Sequence, residues 1–176
     1  MQRSAAALGS AVFFVAAPGV VAGLVPWLIT GWQVQKPISS FAVARTTVGA
    51  VILVAAVIVL VRAFARFVVE GRGTPAPIGR TERLVVGGDY RFVRNPMYLA
   101  VVSAVFGQAM IFGSVALLFY GLAVWAMMAS FVRWYEEPWL RERYGPEYDG
   151  YCGAVRAWLP RLRPWQHDLD HSSEAS

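Results

Sequence analysis

Residues Met97 to Val132 run for 36 positions without a charged side chain. As one helix at 1.5 Å per residue they would reach about 54 Å, against a hydrocarbon core of about 30 Å. The run therefore has to break, and Phe112-Gly113-Ser114 is where the break is expected. The product is a tight hairpin of two helices, Met97–Ile111 and Val115–Val132, with the second continuing to about residue 135. The first helix is short for a crossing, which calls for a re-entrant hairpin or a locally thin bilayer. Gly107, Gly113 and Gly121, with Ser103 and Ser130, permit close helix contact. Gln108 is the single amide of the block and is expected to face protein rather than lipid.

Two further apolar stretches precede the hairpin. One runs from Ala5 to Ile29, with Pro18 and Pro26 expected to kink it. A signal-peptide reading competes for it, although the run outlasts an h-region of about 7–15 residues. The other runs from about Phe41 into a helix ending near residue 67. Its Val and Ile content would suggest a strand in water, but its length and lack of polar groups argue for a membrane helix. Across the chain 57% of residues are apolar and 15% charged. Soluble domains average about 25% charged, so the balance excludes a disordered chain, a coiled coil and an ordinary soluble enzyme. The net charge of +5 reads as membrane topology and not as a nucleic-acid footprint. Thirteen of the 16 basic residues fall at or beyond the C-terminal ends of the second and fourth helices, which the positive-inside rule makes the cytoplasmic side. The expected fold is all-α and polytopic, a single domain over residues 1–164. Four transmembrane helices, both termini cytoplasmic and an inner (plasma) membrane complete the expectation.

The remaining side-chain chemistry lies in two segments on that side. The first, within a cytoplasmic loop over residues 68–96, is stiffened by Gly73, Pro75 and Pro77. Leu84 to Val86 is expected to be extended, and Gly87-Gly88-Asp89 to turn. Then comes Tyr90-Arg91-Phe92-Val93-Arg94-Asn95-Pro96-Met97-Tyr98. Pro96 suits the first turn of a helix and Asn95 its N-cap. Arg94, Asn95 and Tyr98 thus gather at a helix N-terminus, where unpaired N–H groups attract anions. Structural roles compete: Arg94 snorkelling to lipid phosphate, and Tyr98 in an interfacial aromatic belt.

The second segment opens with Arg133, Trp134, Glu136 and Glu137 directly after the hairpin. Adjacent carboxylates at an interface repel unless a cation is near, and Arg133 or a cationic ligand could supply one. The competing role is a solvated helix end. Pro138 is expected to restart the helix and Gly145-Pro146 to break it within a C-terminal helical segment over 138–158. Tyr148, Tyr151, Cys152 and Val155 share one face of it. Cys152 is expected to pack rather than react. Residues 165–176 read as a disordered tail. Its His167 and His171, beside Asp168 and Asp170, do not make a preorganised metal site, so no metal is expected.

These segments resemble the signature of the isoprenylcysteine carboxyl methyltransferase and phospholipid methyltransferase family. Its first motif is a Gly, a Tyr two residues on, then Arg-His-Pro-x-Tyr opening a helix. Here it reads Gly88, Tyr90, Arg94, Asn95, Pro96, Tyr98. The second is a Glu-Glu pair after a helical hairpin, then Leu, Gly-x-Glu-Tyr-x-x-Tyr and a closing Pro. Here it reads Glu136, Glu137, Leu140, Gly145, Glu147, Tyr148, Tyr151, Pro160. The resemblance covers about Gly71 to Pro164. It departs at Asn95, where the family has His, and mildly at Ala100, where a Gly often stands. Asn keeps hydrogen-bonding capacity but carries no charge and cannot act as a base.

The resemblance implies S-adenosylmethionine as cofactor, held by Tyr90, Arg94, Asn95, Pro96, Met97, Tyr98, Glu136 and Glu137. Arg94 and Glu137 would carry the catalytic role, and Arg133, Trp134 and Gln108 would meet the substrate. The reaction implied is methyl transfer to a lipid-like or amphiphilic acceptor at the cytoplasmic face. Membrane lipids are the expected partners and nucleic acid is not. Two other readings stay open. A nicotinamide-dependent reductase of the sterol-reductase type uses a similar Arg-x-Pro-x-Tyr segment, and a non-catalytic four-helix scaffold needs no cofactor.

Overall fold

The computed structural model describes residues 16–33, 40–71 and 84–166. The start of the first apolar stretch, the middle of the cytoplasmic loop and the His167–His171 pair lie outside them. Every regular element among the described residues is helical. Helix α1 spans Ala16–Thr30, α2 Ser40–Gly71 and α3 Pro96–Phe112. Helix α4 spans Val115–Phe131, α5 Glu137–Tyr144 and α6 Pro146–Ala154. Two helices are long and apolar enough to cross a membrane, Ser40–Arg66 and Val115–Tyr144; Ala16–Thr30 and Pro96–Phe112 are apolar but shorter.

The break of the long uncharged run falls at the expected place. Gly113 ends α3 with φ 63°, a left-handed conformation that costs glycine little. Its N–H and that of Ser114 both return to the Ala109 carbonyl. Ser114 then caps α4, its side chain accepting from the Leu117 N–H at 3.2 Å.

Helix α3 is the centre of the fold. It is apolar all round, as a helix enclosed on every side should be, and it packs on α1, α2 and α4. Its most extensive partner is α2, not its hairpin neighbour α4. The reason is a crossing of two glycines. A Cβ on Gly49 would stand 2.6 Å from the Gly107 carbonyl oxygen, and one on Gly107 would stand 2.9 Å from the Gly49 oxygen. Close approach at Gly107 was legible in the sequence, but its partner Gly49 was not singled out. Gly121 does serve the hairpin, facing the Phe106 ring. Helices α2 and α4 turn the apolar side chains Val51, Val54, Ile58, Leu118, Phe119 and Leu122 outward. Such a surface fits hydrocarbon better than water.

One device shapes the fold twice. Prolines 26 and 138 each follow a wide, π-type turn, Val20–Leu24 and Val132–Glu136. In each, an N–H reaches five residues back, from Val25 to Val20 and from Glu137 to Val132. A proline has no N–H, so the carbonyls that it would serve lose their donor. At the first turn side chains from other helices replace it. Tyr120 Oη donates to the Val21 carbonyl at 2.9 Å and Gln108 Nε2 to the Ala22 carbonyl at 2.7 Å. Pro138 therefore does not restart a helix: α4 runs through the wide turn into α5 unbroken.

The C-terminal helical segment is shorter than the sequence suggested. Gly145, at φ 54°, separates α5 from α6, and α6 stops at Ala154 instead of near residue 158. The face of Tyr148, Tyr151 and Val155 is buried on the protein, packed by Leu84, Val86 and Leu140. Trp165, assigned from sequence to the tail, packs there too, its ring 5.4 Å from that of Tyr151.

The crossing of α2 and α3 leaves no room for a side chain on either glycine. Gly107→Ala should destabilise the protein by about 1–3 kcal/mol, and Gly107→Leu should prevent the helices from docking. Gly150→Ala, where nothing lies within 4 Å of the added carbon, should be nearly neutral. Thermal unfolding in detergent distinguishes the three.

Candidate functional site

The site forms where the start of α3 meets the wide turn between α4 and α5. Arg94 precedes α3, and its Nη2 donates to Glu137 Oε1 at 2.8 Å. Both side chains are largely withdrawn from solvent, at 13% and 10% exposure. One turn into α3, Tyr98 Oη donates to Glu136 Oε2 at 3.1 Å. Two adjacent glutamates thus face one helix. On a regular α-helix neighbouring side chains diverge by about 100°. The π-type turn ending at Glu136 turns less per residue and narrows that divergence. Arg133, mostly exposed, approaches Glu137 at 4.0 Å from one turn back.

The segment before α3 is held from both sides. Asp89 lies 3.3 Å from Arg62 of α2. Tyr90 is buried with Ala63 and Val85, and Met97 packs on the same cluster. On the other side the chain after α6 folds back as a strap. Its Arg156 carbonyl accepts from the Arg94 N–H at 3.0 Å. The Arg161 N–H donates to the Phe92 carbonyl and the Trp165 N–H to the Arg91 carbonyl, both at 2.9 Å. Arg91 Nε returns to the Trp165 carbonyl at 2.5 Å, and Tyr151 Oη donates to the Tyr90 carbonyl at 2.7 Å. Burial raises the Tyr90 and Tyr151 phenols above their ordinary range, so both stay neutral donors. Burial, then a hydrogen bond with Cys152, does the same to Tyr148, with Arg94 acting in the opposite direction.

Asn95 occupies the N-cap position, but its side chain makes no capping bond. The amide instead donates to the Ala157 carbonyl of the strap at 3.1 Å. Capping as read from sequence is corrected in that respect: the backbone carbonyl of Asn95 starts the helix by accepting from the Leu99 N–H. Pro96 is the buried first residue of α3. Trp134 is 77% exposed and Gln108 is fourteen residues beyond Arg94, about 20 Å along the helix. The Gln108 amide is engaged by the carbonyls of Ala22 and Ala104. Arg94, Tyr98, Glu136 and Glu137 therefore converge, while Gln108 lies far along α3 from them and the Trp134 ring is exposed. Sequence reasoning missed the strap. The alternation of Arg, Trp, Leu and Pro over residues 156–165 was its only signal.

One buried donor in the cluster is unspent. Arg94 Nε has no acceptor among the described residues. A guanidinium nitrogen out of water without an acceptor is costly, and an anionic ligand group at this point would remove the cost. Among the described residues no group of three or more His, Cys, Asp or Glu could hold a metal ion.

An apolar helical fold with paired carboxylates and an arginine buried at one end has the character of a membrane-associated enzyme. A profile of the phospholipid methyltransferase family matches residues 44–147. That is more than half of the chain, and the chain belongs to this family. The match begins within α2, takes in the first motif and the second as far as Glu147, and ends at the start of α6, before the strap. Comparison with curated proteins and with solved structures finds no match. Family membership supports an enzymatic role in methyl transfer involving lipid.

The buried ion pair sets a stability test. Arg94→Met alone should cost about 3–5 kcal/mol, because Glu137 is left buried with only the more distant Arg133. The double variant Arg94→Met/Glu137→Met should cost less than the sum of the single changes. Chemical denaturation of the three variants measures the difference, and additive losses would show that the pair is not coupled.

Proposed function

We propose that the protein transfers a methyl group from S-adenosylmethionine to a lipid acceptor at the cytoplasmic membrane face. The observation that carries this is the convergence of Arg94, Tyr98, Glu136 and Glu137, with Arg94 Nε buried and unspent. The donor set suits a ligand that is itself an amino acid. Arg94 Nε can donate to its carboxylate. Glu136, half-buried and holding a single phenolic donor, can accept from an ammonium or a ribose hydroxyl. The Tyr98 ring offers a face for a sulfonium. Once bound, such a ligand supplies an electrophilic methyl group.

The protein's part is alignment and exclusion of water. Orientation alone supplies roughly 7–11 kcal/mol in favourable systems. The strap closes one side of the cluster by its bonds to Arg91, Phe92 and Arg94, and the Arg94–Glu137 pair fixes the guanidinium plane. Asn95 cannot take a proton from a nucleophile, and its amide already serves Ala157. An acceptor that is anionic or easily ionised suits this site best.

In this reading α1 to α4 make four crossings. Arg45 lies over the Gly113 turn at one end, and Arg62, Arg66 and Arg94 gather at the other. That distribution supports a cytoplasmic site with both termini on the same side.

Purified protein should be stabilised thermally by S-adenosylhomocysteine and not by NADPH. Arg94→Ala and Glu136→Ala should each weaken that binding at least about tenfold, as expected for loss of a charge-assisted hydrogen bond. Membranes incubated with methyl-labelled S-adenosylmethionine should carry the label into the lipid extract. Stabilisation by NADPH alone would favour a reductase.

A further inference from the structure

The strap from Arg156 to Trp165 lies beyond the residues matched to the family, and methyl transfer as read above gives its side chains no task. It is tied to the segment before α3 through its own backbone. The carbonyls of Arg156 and Ala157 accept from the Arg94 N–H and the Asn95 amide, and the N–H groups of Arg161 and Trp165 donate to the Phe92 and Arg91 carbonyls. Large apolar side chains fall between these ties. Leu159 is 61% exposed, and Leu162 is exposed completely, at 101%. An irregular segment held by a few bonds, with its leucines in the open, has low local stability unless something covers them.

What covers them follows from two features. The first is position. Trp158 meets Trp125 of α4 edge-on, with ring centroids 6.3 Å apart. Trp125 forms one outward stripe with Leu118 and Leu122, at i, i+4 and i+7, and all three are exposed. It lies six residues before α4 ends at Phe131, about 9 Å along the axis. The strap therefore reaches down the side of α4 that meets hydrocarbon when α4 crosses a membrane. The second feature is charge. Residues 156–165 hold three arginines and no Asp or Glu, and Arg156 and Arg163 are exposed. Aromatic and aliphatic side chains interleaved with arginines, at the edge of hydrocarbon, match the headgroup boundary of an anionic leaflet.

We propose that the strap is seated in the anionic surface of the cytoplasmic leaflet and that this seat holds the donor site closed. Trp158, Leu159 and Leu162 lie at the acyl boundary, with Arg156 and Arg163 among the headgroups. The lipid acts here as a surface outside the site and not as the methyl acceptor. Seating favours the conformation in which the strap holds the backbone of Arg94 and the amide of Asn95, and a ligand of Arg94 binds that conformation best. Donor affinity then depends on the charge of the bilayer. This coupling rests on the methyl-transfer reading and on α4 as a crossing, but the seat itself is measured without the donor.

The experiment uses the full-length protein in phosphatidylcholine vesicles with and without phosphatidylglycerol. A fluorophore attached at Leu162→Cys, in a Cys152→Ser background, should be quenched by spin-labelled lipid and little by aqueous iodide. S-adenosylhomocysteine should bind unlabelled wild type roughly fivefold more tightly, or better, when phosphatidylglycerol is present, the scale of one arginine at an anionic surface. Leu162→Asn changes a side chain that the protein does not cover. It should lose most of that gain while thermal unfolding in detergent stays near wild type, and Leu162→Ile should keep the gain. A label quenched by iodide and not by lipid overturns the seat. So does a label shielded from both, which would put a second copy or another segment over Leu162. A seated label with donor affinity indifferent to phosphatidylglycerol, or a gain undiminished in Leu162→Asn, overturns the coupling. If the labelled variant does not fold, the phosphatidylglycerol gain and its loss in Leu162→Asn decide. A seated label in a protein that does not bind S-adenosylhomocysteine at all would remove the methyltransferase reading and leave the seat standing.

Discussion

The ion pair between Arg94 and Glu137 joins the two ends of a hairpin whose helices are otherwise apolar. Residues 97 to 132 contain no charge, so no ion pair within them selects one rotation of α4 against α3. The pair does so from outside the run. A buried charge without its partner is strongly unfavourable, whereas the pair itself adds little net stability against an apolar alternative. Its value here is specificity of placement. It brings the wide turn after α4 against the start of α3, and Tyr98 and Glu136 meet as a consequence.

The wide turn is what lets one helix present both glutamates to one neighbour, and Pro138 is part of its cause. The same arrangement at Pro26 shows the cost and its remedy. The carbonyls of Val21 and Ala22 lose their helical donors and are satisfied by Tyr120 and Gln108. In hydrocarbon an unsatisfied carbonyl costs several kcal/mol, so these two side chains fasten α1 to α3 and α4. Gln108 and Tyr120 are thus committed to architecture.

Much of this was legible in the sequence because it follows from length and periodicity. A run of 36 uncharged residues cannot be one crossing, and Gly113 and Ser114 are the residues a tight reversal needs. The Arg94–Tyr98 and Glu136–Glu137 segments were recognisable as chemistry because charge at the edge of an apolar run requires a partner. What was not legible depends on distance in sequence. Gly49 and Gly107 are ordinary small residues until α2 and α3 are superposed. Ala157 offers only a carbonyl, which any residue has, so its bond to Asn95 leaves no trace in composition. The wide turns could have been suspected from Pro26 and Pro138, but a proline inside an apolar run reads equally well as a kink or a restart.

Asn95 gains a definite meaning from these long-range bonds. Its position is the one where the family pattern has His, and a neutral amide there cannot act as a base. In this protein the side chain faces the strap, and its bond to Ala157 runs beside the Arg94-to-Arg156 backbone bond. The two together hold the first residues of α3 and the strap as one unit. The departure from the pattern therefore bears on how the site is closed. Asn95 ties the strap to the start of α3 beside the Arg94–Glu137 pair. A chain that gives up a titratable group at this point keeps a closure whose hydrogen bond does not depend on pH.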